Sequence, residues 1–380
     1  MNIKHYFKIN IDTNRIYGLD ILRAFAILFV VIGHGNVLLP KSIMTIVDWF
    51  LFDGVSIFFV LSGFLIGGLL IKILQNTHTI TKNTLLNFWI RRWFRTLPNY
   101  FLTLFILLFL NLLFTEKFNP FHYWRYFIFS QNLYFSHPKF FYEAWSLAIE
   151  EWFYLLIPIA LFCSIAIFKI KTKYSILLTV LGVLVLVTLF RYYRFLKAGL
   201  YIPDIYEWDL LFRKQVITRL DGLMYGFLGA YIQSYFKDLW IKRKLLFFIL
   251  GIFIFVIIKT ISFVPNNLYN CVFCFSLSSA ATLLLLPYLS ELKSGSGFLY
   301  RAISCVSLIS YSMYLLNLSI VRFWIIDKIK WEYFSENAYL GYILKYGLYW
   351  VLVLGLSTIV YKYFEIPMTN LRDNINKKNA

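Results

Sequence analysis

Residues 19–35 read LDILRAFAILFVVIGHG, an apolar run broken by an acid at Asp20, a cation at Arg23 and an imidazole at His34. With its apolar continuation to residue 39, the run supplies the roughly 20 residues that a helix needs to cross a bilayer core. It reads as a transmembrane helix. Eleven positions separate Arg23 from His34, about three helical turns, so the two side chains share a face and stand about 16 Å apart along the axis. Ionisable groups at membrane depth are costly and usually face a bundle interior or a wet cavity, which marks a functional site. No other histidine lies in an apolar run.

The rest of the chain repeats the pattern. Of 380 residues, 60% are hydrophobic, 21% aromatic and only 15% charged, a composition that excludes a soluble globular domain. Nine more spans are expected, near residues 48–73, 98–115, 145–168, 174–191, 214–236, 245–264, 268–289, 303–325 and 340–362. The fold class is therefore all-α: a polytopic membrane helix bundle of about ten transmembrane helices, filling residues 19–366 between tails at 1–18 and 367–380. The first run is too long for a cleaved signal peptide and reads as a retained anchor.

A net charge of +18 would suggest nucleic acid in a soluble protein, but here the basic residues fall between the apolar runs. Lys72, Lys82, Arg91, Arg92 and Arg95 follow the second span, Lys169, Lys171 and Lys173 the fourth, and Lys237, Lys242, Arg243 and Lys244 the sixth. Positive charge on alternate connections places them in the cytoplasm, beside anionic lipid, and both termini with them. The expected location is a multi-pass protein of the bacterial cytoplasmic membrane, with the lipid bilayer and no nucleic acid as partner. Arg23 then lies near the inner end of its helix and His34 near the outer end. Asp53 and Ser56 are expected at the level of His34, with Glu150 and Glu151 in the outer half of the fourth span.

Several motifs sit on these helices. In GVSIFFVLSGFLIGG, residues 54–68, Ser56, Gly63 and Gly67 recur at helical spacing; small residues let helices approach closely in lipid, and the serines can bond back to their own helix. RRWFRTLP, residues 91–98, sets Arg92 and Arg95 one turn apart before Pro98, a residue suited to a helix start. Arginine forks match phosphates, although the same residues serve as topology signals. AWSLAIEEWFYLLIP, residues 144–158, carries adjacent carboxylates that point about 100° apart on a helix; Glu150 is in register with Tyr154. In TRLDGLMYGFLGA, residues 218–230, Arg219 shares a stripe with Gly222, Gly226 and Gly229, while Asp221 projects to a different side. Tyr311, Tyr314 and Asn317 close the set. Cys163, Cys271, Cys274 and Cys305 lie in apolar stretches without the paired spacing of a zinc site, so no metal is expected.

Taken in order, these elements resemble the signatures of the integral-membrane acyltransferase family three, from about Tyr17 to Pro367. The resemblance implies a helical bundle that transfers an acyl group, usually acetyl from acetyl-CoA, to a hydroxyl of an exported glycan such as O-antigen or capsule. The family's arginine and histidine in the first span carry over to Arg23 and His34, its arginine pair to Arg92 and Arg95, and its Trp-Ser-Leu-x-x-Glu element to Trp145, Ser146, Leu147 and Glu150. Many relatives carry an acid where Ser56 stands, and a histidine where Asn317 stands. The soluble esterase-like domain that some relatives append is not expected.

In that reading Arg92, Arg95 and Arg23 hold the phosphates of acetyl-CoA, and the pantetheine arm runs toward His34. His34 acts as general base on the incoming hydroxyl, Glu150 orients it, and the oxyanion donor is one of Ser62, Arg219 and Tyr311. Tyr154 and Ser56 complete the substrate-binding set. Two other functions fit an intramembrane charge pattern: a transporter or flippase of a sugar or lipid-linked glycan, and a structural partner of glycan-export proteins.

Overall fold

The computed structural model describes residues 15–76, 82–198, 202–331 and 338–371, so most of the two expected tails lies outside the described residues. The described residues form helices and connections with no strand. Eleven long helices order the chain: α1 Tyr17–Gly35, α2 Lys41–Phe50, α3 Gly54–Asn76, α4 Lys82–Phe114, α5 Ala144–Phe162, α6 Thr172–Ala198, α7 Val216–Tyr235, α8 Lys244–Thr260, α9 Cys274–Leu289, α10 Gly297–Leu316 and α11 Ala338–Val360. Each of the ten expected spans overlaps one of them, α2 being the addition. Eight helical stretches among the described residues are long and apolar enough to cross a membrane. The other two expected spans are α7, which carries Arg219 and Asp221, and α8, which is 17 residues long.

The sequence misplaces two helix starts. The second span was expected from residue 48, but Pro40 starts α2, a ten-residue helix with no buried residue. Its Ile46, Trp49 and Phe50 are exposed, a face suited to the membrane interface. The chain then turns, and the Asp53 carboxylate accepts the Val55 N–H at 3.2 Å and the Ser56 hydroxyl at 2.7 Å, capping α3 as an N-terminal acid does. Pro98, expected at a helix start, lies inside α4. The arginine-bearing turns before it are pinned from outside: Trp89 donates to the Tyr154 carbonyl at 2.9 Å, Thr96 to Glu151 at 2.7 Å, and Tyr311 to the Thr96 carbonyl at 2.7 Å.

At the centre α3 lies against α7, backbone on backbone. A Cβ on Gly63 would stand 1.9 Å from the Leu223 carbonyl oxygen, and one on Gly226 would stand 2.0 Å from that of Val60. The glycine stripes are thus a packing device. α7 is also tied to α6 by the buried ion pair Arg191–Asp221, 2.9 Å apart with both side chains fully enclosed and Ser276 bonded to each.

Gly54 abuts the Ala26 carbonyl, so α3 begins against the middle of α1. Eight residues of α1, about 12 Å of rise, separate Ala26 from His34. Asp53 and Ser56 therefore lie below His34 rather than level with it, because residues 51–53 descend alongside α1 before α3 begins. Ser62 is eight residues further along α3, away from the histidine.

Candidate active site

A cavity of about 580 Å³ runs inside the bundle between α1, α3, α4, α5, α10 and the end of α11. Arg15, Arg23, Arg92 and Arg95 line one end, with Glu365 among them. Arg15 pairs with Asp20, its Nε 2.9 Å from a carboxylate oxygen, and Arg23 stands 4.0 Å from the same acid. The Glu365 carboxylate accepts from Asn99 and Ser312, both at 2.8 Å. Arg95 is exposed and Arg92 half-buried, so this end is an open, basic mouth with the fork geometry that phosphates favour.

Deeper in, Glu150 faces the cavity, whereas Glu151 turns away to Thr96. The Glu150 carboxylate accepts the hydroxyls of Ser62 at 3.0 Å and Tyr154 at 2.9 Å. Beyond it the wall is Val55, Phe58, Phe59 and Leu147, and two hydroxyls stand together, Ser146 Oγ and Tyr314 Oη, 2.6 Å apart. Of the ten residues given catalytic or substrate-binding roles from the sequence, seven share one cavity: Arg23, Ser62, Arg92, Arg95, Glu150, Tyr154 and Tyr311.

His34, Ser56 and Arg219 are not among the cavity's lining residues. Arg219 is fully enclosed, donates to Ser56 at 2.6 Å, and stacks its guanidinium 4.3 Å from the Phe275 ring. With Asp53 and Arg213 it forms a polar knot that ties the start of α3 to the start of α7. Its Nη2 donates within that knot, and the side chain does not reach the cavity wall.

His34 is half-buried at the far end of α1. Its Nδ1 lies 2.6 Å from Asn317 Oδ1. The Asn317 amide nitrogen donates to the carbonyls of Met313 at 2.9 Å and Tyr314 at 2.8 Å, which fixes the amide with its oxygen toward the ring. An acceptor there requires a proton on Nδ1, leaving Nε2 as the basic nitrogen. Glu150 and the imidazole do not meet: Glu150 bonds Ser62, on the side of α3 remote from His34, and the orienting partner of the ring is Asn317.

Asn317 opens a π-helical segment, Asn317–Ile325, of the kind often found at functional positions. Glu143, buried just before α5, holds the segment in place by accepting the N–H groups of Leu318 at 3.1 Å and Ser319 at 2.7 Å. Burial pushes the Glu143 carboxyl up to about 7, with those hydrogen bonds pulling it back. Sequence reading missed both Glu143 and the Asn317–His34 contact. The signal available was an acid immediately before the AWSL element; its partner lies 176 positions away.

The family described as acyltransferase domain matches residues 16–362. The chain is 28% identical over 383 residues to an O-acetyltransferase, OatA, of Staphylococcus aureus strain NCTC 8325, covering 92% of this chain and 57% of the relative. It is 34% identical over 182 residues to a putative peptidoglycan O-acetyltransferase, YrhL, of Bacillus subtilis strain 168, covering 43% of this chain and 26% of that protein. A putative O-acetyltransferase of Staphylococcus aureus strain COL is 27% identical over 375 residues, covering 92% of this chain and 56% of its own length. The chain thus spans about half the length of the first two Staphylococcus relatives named. No solved structure matches. With a multi-pass helical bundle, a basic-mouthed cavity and a family match across nearly its whole length, the chain belongs to the integral-membrane acyltransferase family three.

Proposed function

We propose that the protein is an acyl-CoA-dependent O-acyltransferase of the bacterial cytoplasmic membrane, moving acetyl from the cytoplasmic side to a hydroxyl of an exported glycan. The observation that carries the proposal is a basic-mouthed cavity whose wall includes Tyr314, the residue bonded by the amide that orients His34. Four arginines line its mouth, Glu150 faces it further in, and Tyr314, also on its wall, lies one helical turn before the Asn317 that grips His34. The phosphates of acetyl-CoA lie on Arg92, Arg95 and Arg23, and the arm follows the cavity past Glu150, which accepts hydrogen bonds from its amides. The name of the Bacillus subtilis relative makes peptidoglycan the first acceptor to test.

The chemistry follows from the fixed tautomer. The acceptor oxygen attacks the thioester carbon while its proton moves to His34 Nε2; the carbonyl electrons move onto oxygen. When the tetrahedral intermediate collapses, the carbon–sulfur bond breaks and the thiolate of coenzyme A takes the proton back from the imidazolium. The acyl group needs no residence on the protein. The test is transfer of label from acetyl-CoA to peptidoglycan fragments by purified protein in lipid nanodiscs. Transfer supports the reading; movement of glycan across the bilayer without modification would replace it with transport.

A further inference from the structure

Resting on that reading of the site, we propose that the Ser146–Tyr314 hydroxyl pair is the oxyanion donor of the transfer, with Tyr314 as its principal member. The two hydroxyls carry two protons. One is spent in the 2.6 Å contact between them; the other has only the Glu143 carbonyl, 3.3 Å from each oxygen. That last hydrogen bond is long, so turning its proton toward a developing negative charge costs little and gains a shorter, charge-assisted bond.

The competing donors are committed or lie off the cavity wall. Ser62 and Tyr154 donate to Glu150, Tyr311 donates to the Thr96 carbonyl at 2.7 Å, and Arg219 is enclosed elsewhere with Ser56.

Position favours the same pair. It lines the same cavity as the arginines, and in the proposed seating the acyl end of the coenzyme is presented to it. The Tyr314 main chain is bonded by the amide that orients His34. Phe58 crosses the Tyr314 ring edge-on at 6.4 Å, and Tyr314 is buried. A fixed donor in a water-excluded site acts on charge that develops only in the transition state, so it accelerates turnover without tightening substrate binding. The balance of the step is that given above: as the carbon–oxygen bond to the acceptor forms, the carbonyl π pair becomes the oxyanion held by this pair, and it returns when the carbon–sulfur bond breaks.

Tyr314→Phe and Ser146→Ala test the assignment in nanodiscs, with labelled acetyl-CoA and peptidoglycan fragments as the probes. For Tyr314→Phe the expected result is a kcat lower by roughly 10²-fold with KM for acetyl-CoA within twofold of the unsubstituted protein; for Ser146→Ala the loss of kcat is smaller. Retained acetyl-CoA affinity separates this outcome from misfolding. A Tyr314→Phe protein that turns over at the original rate, or loses only affinity, overturns the assignment. If the unsubstituted protein itself transfers no label, it is the acyltransferase reading that fails.

Discussion

At the scale of single residues, the account turns on how a histidine in a lipid-embedded bundle is held with the correct nitrogen free. Asn317 does this through two backbone carbonyls that fix its own amide. An Asn317→Ala substitution removes the acceptor, frees the ring to rotate and to exchange tautomers, and is expected to lower kcat by roughly 10²-fold. Asn317→Asp keeps an acceptor oxygen and should retain more activity than the alanine variant. Steady-state kinetics with labelled acetyl-CoA checks both, with KM for the donor as the quantity that stays put. The sequence displayed His34 plainly, because a lone imidazole in an apolar run is rare. It displayed Asn317 as a polar residue in an apolar span but not its pairing with His34, because the two are 283 positions apart.

Among the elements, the decisive contact is α3 against α7. Gly63 sits with its missing Cβ on the Leu223 carbonyl, whereas Gly68, five residues on, has nothing within 4 Å. Gly63→Ala should therefore destabilise the protein by about 1–3 kcal/mol through overpacking. Gly68→Ala should be neutral or slightly stabilising, as helix propensity dictates. Thermal unfolding of the two variants in detergent measures the difference. The spans themselves were readable because apolar length is the main physical requirement for crossing a bilayer. Three things were not. The capping of α3 by Asp53 shortens a run that composition alone extends back to residue 48. The continuity of α4 through Pro98 rests on side chains from α5 and α10. The level of α3 relative to α1 is set by Gly54 on Ala26, and counting residues from span ends does not reveal it.

Across the whole molecule, the bundle separates two tasks along its axis. Basic residues gather at the cavity mouth, and the imidazole stands outside the cavity wall near Tyr314; in the proposed reaction the donor enters at the mouth and the acceptor at the histidine. In the proposed orientation the mouth faces the cytoplasm, where acyl-CoA is made. Replacing Arg92 and Arg95 together by alanine should raise KM for acetyl-CoA at least tenfold with a smaller change in kcat, because phosphate contacts far from the reacting carbon bind the ground and transition states alike. An unchanged KM would reduce the pair to topology signals.

The most direct test is single-turnover transfer by purified His34→Ala protein in nanodiscs, measured beside acetyl-CoA binding to the same sample. The account predicts donor affinity within twofold of the unsubstituted protein and a transfer rate lower by roughly 10²-fold or more. Transfer at an undiminished rate would contradict it.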